Sequence, residues 1–269
     1  MRLLLIQIVC PMPYSIENER TLVNPIDNDH DKVTPNRRSY SPATLFATLI
    51  LVAQVLISIG TYPFLPDTIA SHFDAAGHVN GTSPKWVIAV LFPAISIGIY
   101  VLVRVLMAAS PRLGYQNQRR ANQEVVNVIL VGVLLLELII QLIIIGLALG
   151  MRIDIAFVVS LAVSLLFIFI GNYLGRLRRN FWAGIRTPWT LASDTVWERT
   201  HRLGGWLFVV GGFLGVIMSF VPLLRPWGFL ALILLIVMVL FVYSYIEYSR
   251  LTVDGREPLS SPFEGGDRA

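Results

Sequence analysis

Three groups of residues in this sequence have types and spacings that could support chemistry. Asp67, His72, Asp74 and His78 fall in one short stretch and offer the imidazole and carboxylate ligands that hold a zinc-like ion. No H-E-x-x-H or comparable ligand motif on a helix is present, however. The stretch therefore reads as a turn over Asp74 to Gly77, with His72 and Phe73 anchoring a loop at an interface, and no metal is expected. Glu137 and Gln141 stand one helical turn apart near the middle of a long apolar run. An acid at mid-bilayer costs roughly 2.5–3.5 kcal/mol on insertion scales, so such residues face a bundle interior or a polar cavity. Two readings stay open: a proton or ligand site, or a protonated Glu137 bonded to Gln141 or a neighbouring helix as structural glue. The third group is Ser193, Asp194 and His201. Ser193 and His201 lie about 12 Å apart along a helix, beyond the reach a nucleophile and its base require. No catalytic residue is assigned and no enzyme activity or cofactor is expected.

The elements that position these groups follow from composition. The 269 residues are 55% hydrophobic and only 14% charged, against about 25% charged in an average protein. This is a polytopic membrane protein: an all-α bundle of about six transmembrane helices. Apolar runs of bilayer-crossing length fall at about 42–62, 86–107, 125–149, 153–175, 204–222 and 226–247. The net charge of +4 does not point to nucleic acid, because the basic residues flank apolar runs. Arg104, Arg112, Arg119 and Arg120 surround the second connection, and Arg176, Arg178, Arg179, Arg186, Arg199 and Arg202 the fourth. The other connections carry Lys85, Arg152 and Arg225. By the positive-inside rule both termini are cytoplasmic and the His72 loop faces outward. Residues 1–41 read as a polar flexible tail, 42–123 as a two-span module, 124–247 as a four-span region and 248–269 as a disordered tail. Asn127 and Asn172 lie near span ends, where headgroups or backbone suffice as partners. Glycines four apart, Gly146 with Gly150 and Gly211 with Gly215, read as helix packing.

The long polar connection at 176–203 organises the chain. Gly184 and Pro188 forbid a continuous helix, and Thr187 is pushed toward extended geometry by the proline that follows. Ser193 is an N-cap, with Asp194 and Glu198 favouring the positive end of a helix dipole. Trp197 and His201 share one face of that helix. Arg186, Trp189 and Trp197 are expected to form a working surface on the inner side, the alternative being a loop that only seats its helices at the headgroups.

Asn180, Gly184, Ile185, Arg186, Thr187, Pro188, Trp189, Thr190, Leu191, Ser193, Trp197, Thr200, His201, Arg202 and Gly204 resemble the signature loop of the SdpI family. These are bacterial membrane proteins named for immunity to a self-produced antimicrobial toxin. Upstream, Pro66, Ile69, His72, Phe73, Asp74 and Gly77, with Lys85 beyond, are similar to an extracytoplasmic motif of a small module often fused ahead of such regions. The resemblance implies a multi-pass protein of the bacterial inner membrane that binds or neutralises an antimicrobial peptide toxin. It further implies signalling through a cytosolic transcriptional repressor, with Asn180, Gly184, Arg186, Thr187, Pro188, Trp189, Trp197 and His201 as the partner-binding set. The competing class is a transporter or intramembrane enzyme using Glu137 and His72.

Overall fold

The structure is a computed structural model, and it describes residues 41–109, 119–225 and 227–253, without the side chains of 119–121. Six helices among these residues are long and apolar enough to cross a membrane. Helix α1 (Pro42–Thr61) starts where Ser41 Oγ accepts from the Thr44 N–H and a proline takes the first turn, a position that needs no donor. Ser41, expected as the last tail residue, is thus a cap. Helices α2 (Lys85–Ala109), α3 (Arg119–Ala148) and α4 (Ile155–Leu174) follow. After a short helix α5 (Pro188–Ala192) come α6 (Asp194–Ser219) and α7 (Trp227–Val253). Helix α7 extends past residue 247 to Val253, shortening the expected tail; residues 1–40 and 254–269 lie outside the described residues.

One element departs from an all-helical reading. The connection between α1 and α2 forms an antiparallel hairpin of β1 (Thr68–Phe73) and β2 (Val79–Pro84), with irregular register around His72. Its Ile69 is buried with Leu65, Ile88, Ile143, Ile144, Ile145 and Ile155. The hairpin therefore plugs one end of the bundle where α2, α3 and α4 meet. The same end carries the tight α3–α4 turn and the Pro222–Leu224 turn, whose Arg225 pairs with Asp154, the α4 N-cap, at 2.6 Å.

At the opposite end Arg104 of α2 donates to Asn127 Oδ1 of α3 (3.0 Å) and to Thr44 Oγ1 of α1 (3.4 Å), while Asn127 Nδ2 donates to Ser41 Oγ (3.3 Å). Asn127 is almost fully buried and joins three helices through side chains, where headgroups or backbone were expected to suffice. Asn172 does find a backbone partner, the Ile168 carbonyl.

Helix α4 packs most extensively against α6. A Cβ on Gly171 would lie 2.7 Å from the Gly205 carbonyl oxygen, and one on Gly205 2.8 Å from the Gly171 carbonyl oxygen. Further along the seam, a Cβ on Gly212 would meet the Ser164 carbonyl oxygen at 2.7 Å. The backbones touch here because no side chain intervenes. Of the four glycines expected to pack helices, Gly211 faces Ile236 of α7, Gly215 faces Ser164 and Phe229, and Gly146 faces Met151 and Ile153 of the turn. Gly150, at φ +89, has nothing near it and serves the turn itself.

Candidate functional site: the polar connection between α4 and α6

The connection folds onto the bundle instead of hanging from it. Past the end of α4, Asn180 is fully buried; its Oδ1 accepts from the Trp182 and Ala183 N–H groups and its Nδ2 donates to the Arg178 carbonyl. Asn122 of α3 grips the same residue from the other side, accepting from the Arg178 N–H (2.8 Å) and donating to the Arg178 carbonyl (3.0 Å). The Asn122 side-chain amide thereby ties the first turn of α3 to the backbone of Arg178 at the start of the loop.

The loop then bends at Gly184, whose φ of +108 lies where L side chains are strained. Beside it the Ile185 N–H donates to His201 Nε2 (2.9 Å), and His201 Nδ1–H donates to the Trp197 carbonyl (2.9 Å). A carbonyl only accepts and an amide N–H only donates, so the ring is neutral with its proton on Nδ1. Trp197 stacks on that ring at 4.0 Å between centroids, and its Nε1–H donates to the Leu177 carbonyl (2.8 Å).

Thr187 is extended, as the proline after it requires, and its Oγ1 accepts from the Thr190 N–H in a capping box that starts α5. The same hydroxyl donates to Ser244 Oγ of α7 (3.1 Å). Ser193 both ends α5 and caps α6, accepting from the Val196 N–H (3.1 Å). Asp194 and Glu198, expected near the positive end of this helix, also neutralise Arg179 (2.7 Å) and Arg178 (2.8 Å). Arg199 reaches the buried Glu247 of α7 (2.6 Å).

The expected working surface is corrected in one respect. Trp197 and His201 share a face, as the spacing requires, but both have 0% exposure and hold the loop from within. The reason is chemical: each of their polar atoms finds a loop or helix backbone partner. What faces outward is Phe181, Pro188 and Arg186, the last donating to the Phe181 carbonyl (2.5 Å), with Trp189 half-buried edge-on against Phe241 and Tyr245 of α7. Beneath the loop lies a mainly apolar cavity of about 430 Å³, walled by Trp182 to Ile185 and by residues of α2, α3, α4 and α6.

The hairpin residues assemble a different structure. Asp74 Oδ1 accepts from the Ala76 and His78 N–H groups, and Gly77 sits at φ +88. These backbone donors, chiefly that of His78, hold the Asp74 carboxyl below its ordinary pKa. The turn expected over Asp74 to Gly77 is present, with His78 Nδ1 3.2 Å from Asp74. His72, exposed, pairs with Asn80 (2.5 Å) instead. Phe73 is half-buried against the plug at the hairpin end. Lys85 closes the base of the hairpin next to Pro66, donating to the Leu65 carbonyl (3.2 Å) and pairing with Asp67 (3.1 Å). Glu137 accepts from Ser96 Oγ of α2, and Gln141 bonds to α1. Glu137 thus bonds a neighbouring helix, and the structure does not bring it to His72.

Six apolar spans, one end capped by a small hairpin and the other by a folded, arginine-rich connection, define a multi-pass helical membrane protein. Residues 176–246 match the SdpI/YfhL protein family, and residues 49–97 match a domain of unknown function, DUF1648. A curated relative, the Immunity protein SdpI of Bacillus subtilis (strain 168), is 32% identical over 84 residues, which are 31% of this chain and 40% of that protein. The chain thus spans less than half the length of this relative. No solved structure matches it. The family match thus falls on the connection after α4 and on α5 to α7, within a multi-pass helical membrane protein.

Proposed function

We propose that this chain is an immunity-type protein of the bacterial inner membrane, with the loop end cytoplasmic, that binds an antimicrobial peptide toxin through the exposed face of the 176–203 connection. The observation that carries this reading is the mounting of Arg186, Phe181 and Trp189 on a loop whose interior is locked by Asn180, Trp197 and His201. A rigid loop presents an arginine fork and an aromatic at little entropic cost, the combination common at binding hot spots. The apolar cavity beneath offers room for a hydrophobic side chain. The similar Bacillus protein, named for immunity, supports the toxin as the partner. Capture of a cytosolic repressor on the same surface is the second reading, favoured by Arg186 and Arg202, which form no salt bridge among the described residues.

Arg186→Ala and Trp189→Ala should reach wild-type abundance in the membrane yet lose protection. A lost anchor of this kind costs about 2 kcal/mol, roughly thirtyfold in affinity. Toxin survival and membrane abundance, measured on the same strains, decide the matter. Protection that falls only in step with protein level would mean that the loop merely seats its helices. Full protection with loss of repressor co-purification would favour the second reading.

Orientation is tested separately. The loop end carries Arg104, Arg176, Arg178, Arg179, Arg186, Arg199, Arg202 and Arg250, and the hairpin end Lys85, Arg152 and Arg225, an asymmetry that favours a cytoplasmic loop. Asn80→Cys should react with an impermeant thiol reagent on intact cells, and Phe181→Cys only after permeabilisation. The reverse labelling pattern would sink the inner-surface proposal.

A further inference from the structure

The α1–α2–α3 half of the bundle holds a polar layer that the immunity reading leaves unused. Arg104, Asn127 and Thr44 fix the register of the three helices at the loop end. Ten residues further along α1 and α3 stand Gln54 and Glu137, and eight residues back along α2 stands Ser96, roughly 12–15 Å deeper by helical rise. Ser96 Oγ donates to Glu137 Oε2. One turn on, Gln141 Nε2 donates to the Gln54 carbonyl (3.2 Å) and to Ser58 Oγ (2.9 Å). Gln54 has 0% exposure, yet among the described residues neither atom of its side-chain amide has a partner, and Gln141 Oε1, on a residue 1% exposed, has none either.

Buried amides without partners are expensive in protein interiors and more so within hydrocarbon. The layer is also lopsided. Its donors from Ser96 and Gln141 are already engaged and Gln54 Nε2 reaches no acceptor, while Gln54 Oε1, Gln141 Oε1 and the Glu137 carboxylate are oxygens open to a positive partner. A proton on Glu137 brings one hydrogen and cannot serve two amide oxygens at once. A hard cation takes several oxygen ligands together. One carboxylate among neutral oxygens balances a single charge, whereas a divalent ion would leave an excess charge inside the membrane. The layer is also shut off from the aqueous ends: Ala47, Leu130 and Leu134 are buried on the loop side, and the Leu65, Ile69, Ile88 and Ile144 plug covers the hairpin side.

We propose that Gln54, Ser58, Ser96, Glu137 and Gln141 form an intramembrane binding site for a monovalent alkali cation. The proposal does not depend on the toxin reading, since it concerns different helices and is read without toxin.

The test uses the full chain in lipid nanodiscs, melted in NaCl, KCl and choline chloride at matched ionic strength and fixed pH. The expected result is a midpoint that rises and saturates with Na⁺ or K⁺ but not with choline. Glu137→Gln and Gln54→Leu should each remove that dependence while keeping their midpoints in choline. Equal midpoints in all three salts, or a dependence that survives in Glu137→Gln, would overturn the site. A response to pH alone, lost in Glu137→Gln, would overturn it too, and would mark a protonated carboxyl bonded to Ser96. If either variant fails to fold, calorimetric titration of the wild-type protein with Na⁺ and with K⁺ decides, absence of binding being the negative result.

Discussion

Gly184→Ala is expected to lower the unfolding free energy by about 3 kcal/mol and to deplete the protein from the membrane. Two costs combine. At φ +108 a Cβ is strained by roughly 1–2 kcal/mol. That Cβ would also overlap His201 Nε2, displacing the ring from the Ile185 N–H and leaving a donor unpaired, a further 1–3 kcal/mol or so. The experiment is a thermal or denaturant melt of purified protein in detergent, read alongside membrane abundance. In a His201→Ala background the overlap disappears and only the backbone strain remains, so the same substitution should cost about half as much. An identical cost in both backgrounds would show that Gly184 and His201 are not coupled.

The second large effect belongs to the α4–α6 seam. Gly205→Val places branched carbons where the Gly171 carbonyl oxygen already lies within 2.8 Å of a first Cβ. Backbone, unlike a side-chain tip, cannot swing aside, so the helices must part. Overpacking of this kind costs about 3 kcal/mol. Parting the helices also removes the Gly212 contact with Ser164, so the loss spreads along the seam. Gly171→Ala and Gly205→Ala should each destabilise, and the double variant should cost clearly less than their sum, because the first substitution has already opened the gap. Strict additivity in a double-mutant cycle would mean that the two glycines do not face each other.

The spans were legible because hydrophobic length is a local property: each of the six apolar runs maps onto one long helix, with edges moved by polar caps such as Ser193. Turn chemistry was legible for the same reason. Asp74 to Gly77, Thr187 before Pro188 and the Ser193 cap depend on neighbours within a few residues. The hairpin was missed because its strands bury little besides Ile69, so a two-residue alternation hardly shows. Helix α5 was missed although Pro188 followed a threonine, a start signal read only as a break. Trp197 was placed outside because tryptophan near a membrane border suits either a surface or a core; only the Leu177 carbonyl and the His201 ring, distant in sequence or stacked in space, decide between them. The seam glycines were not legible because Gly171 and Gly205 meet across helices, a relation that no spacing along one helix encodes.

The grip of Asn122 on Arg178 bears on how far the two halves of the chain can be treated as interchangeable parts. The apolar runs alone suggest a division after residue 123, between a two-span module and a four-span region. A cut there would leave the clamp on the wrong piece and strip α2 from the wall of the cavity under the loop. The four-span piece would then keep its family motif but lose the residue that pins its first loop turn. Shuffling these modules between proteins, whether by recombination or on the bench, therefore has to carry the start of α3 with the loop it holds.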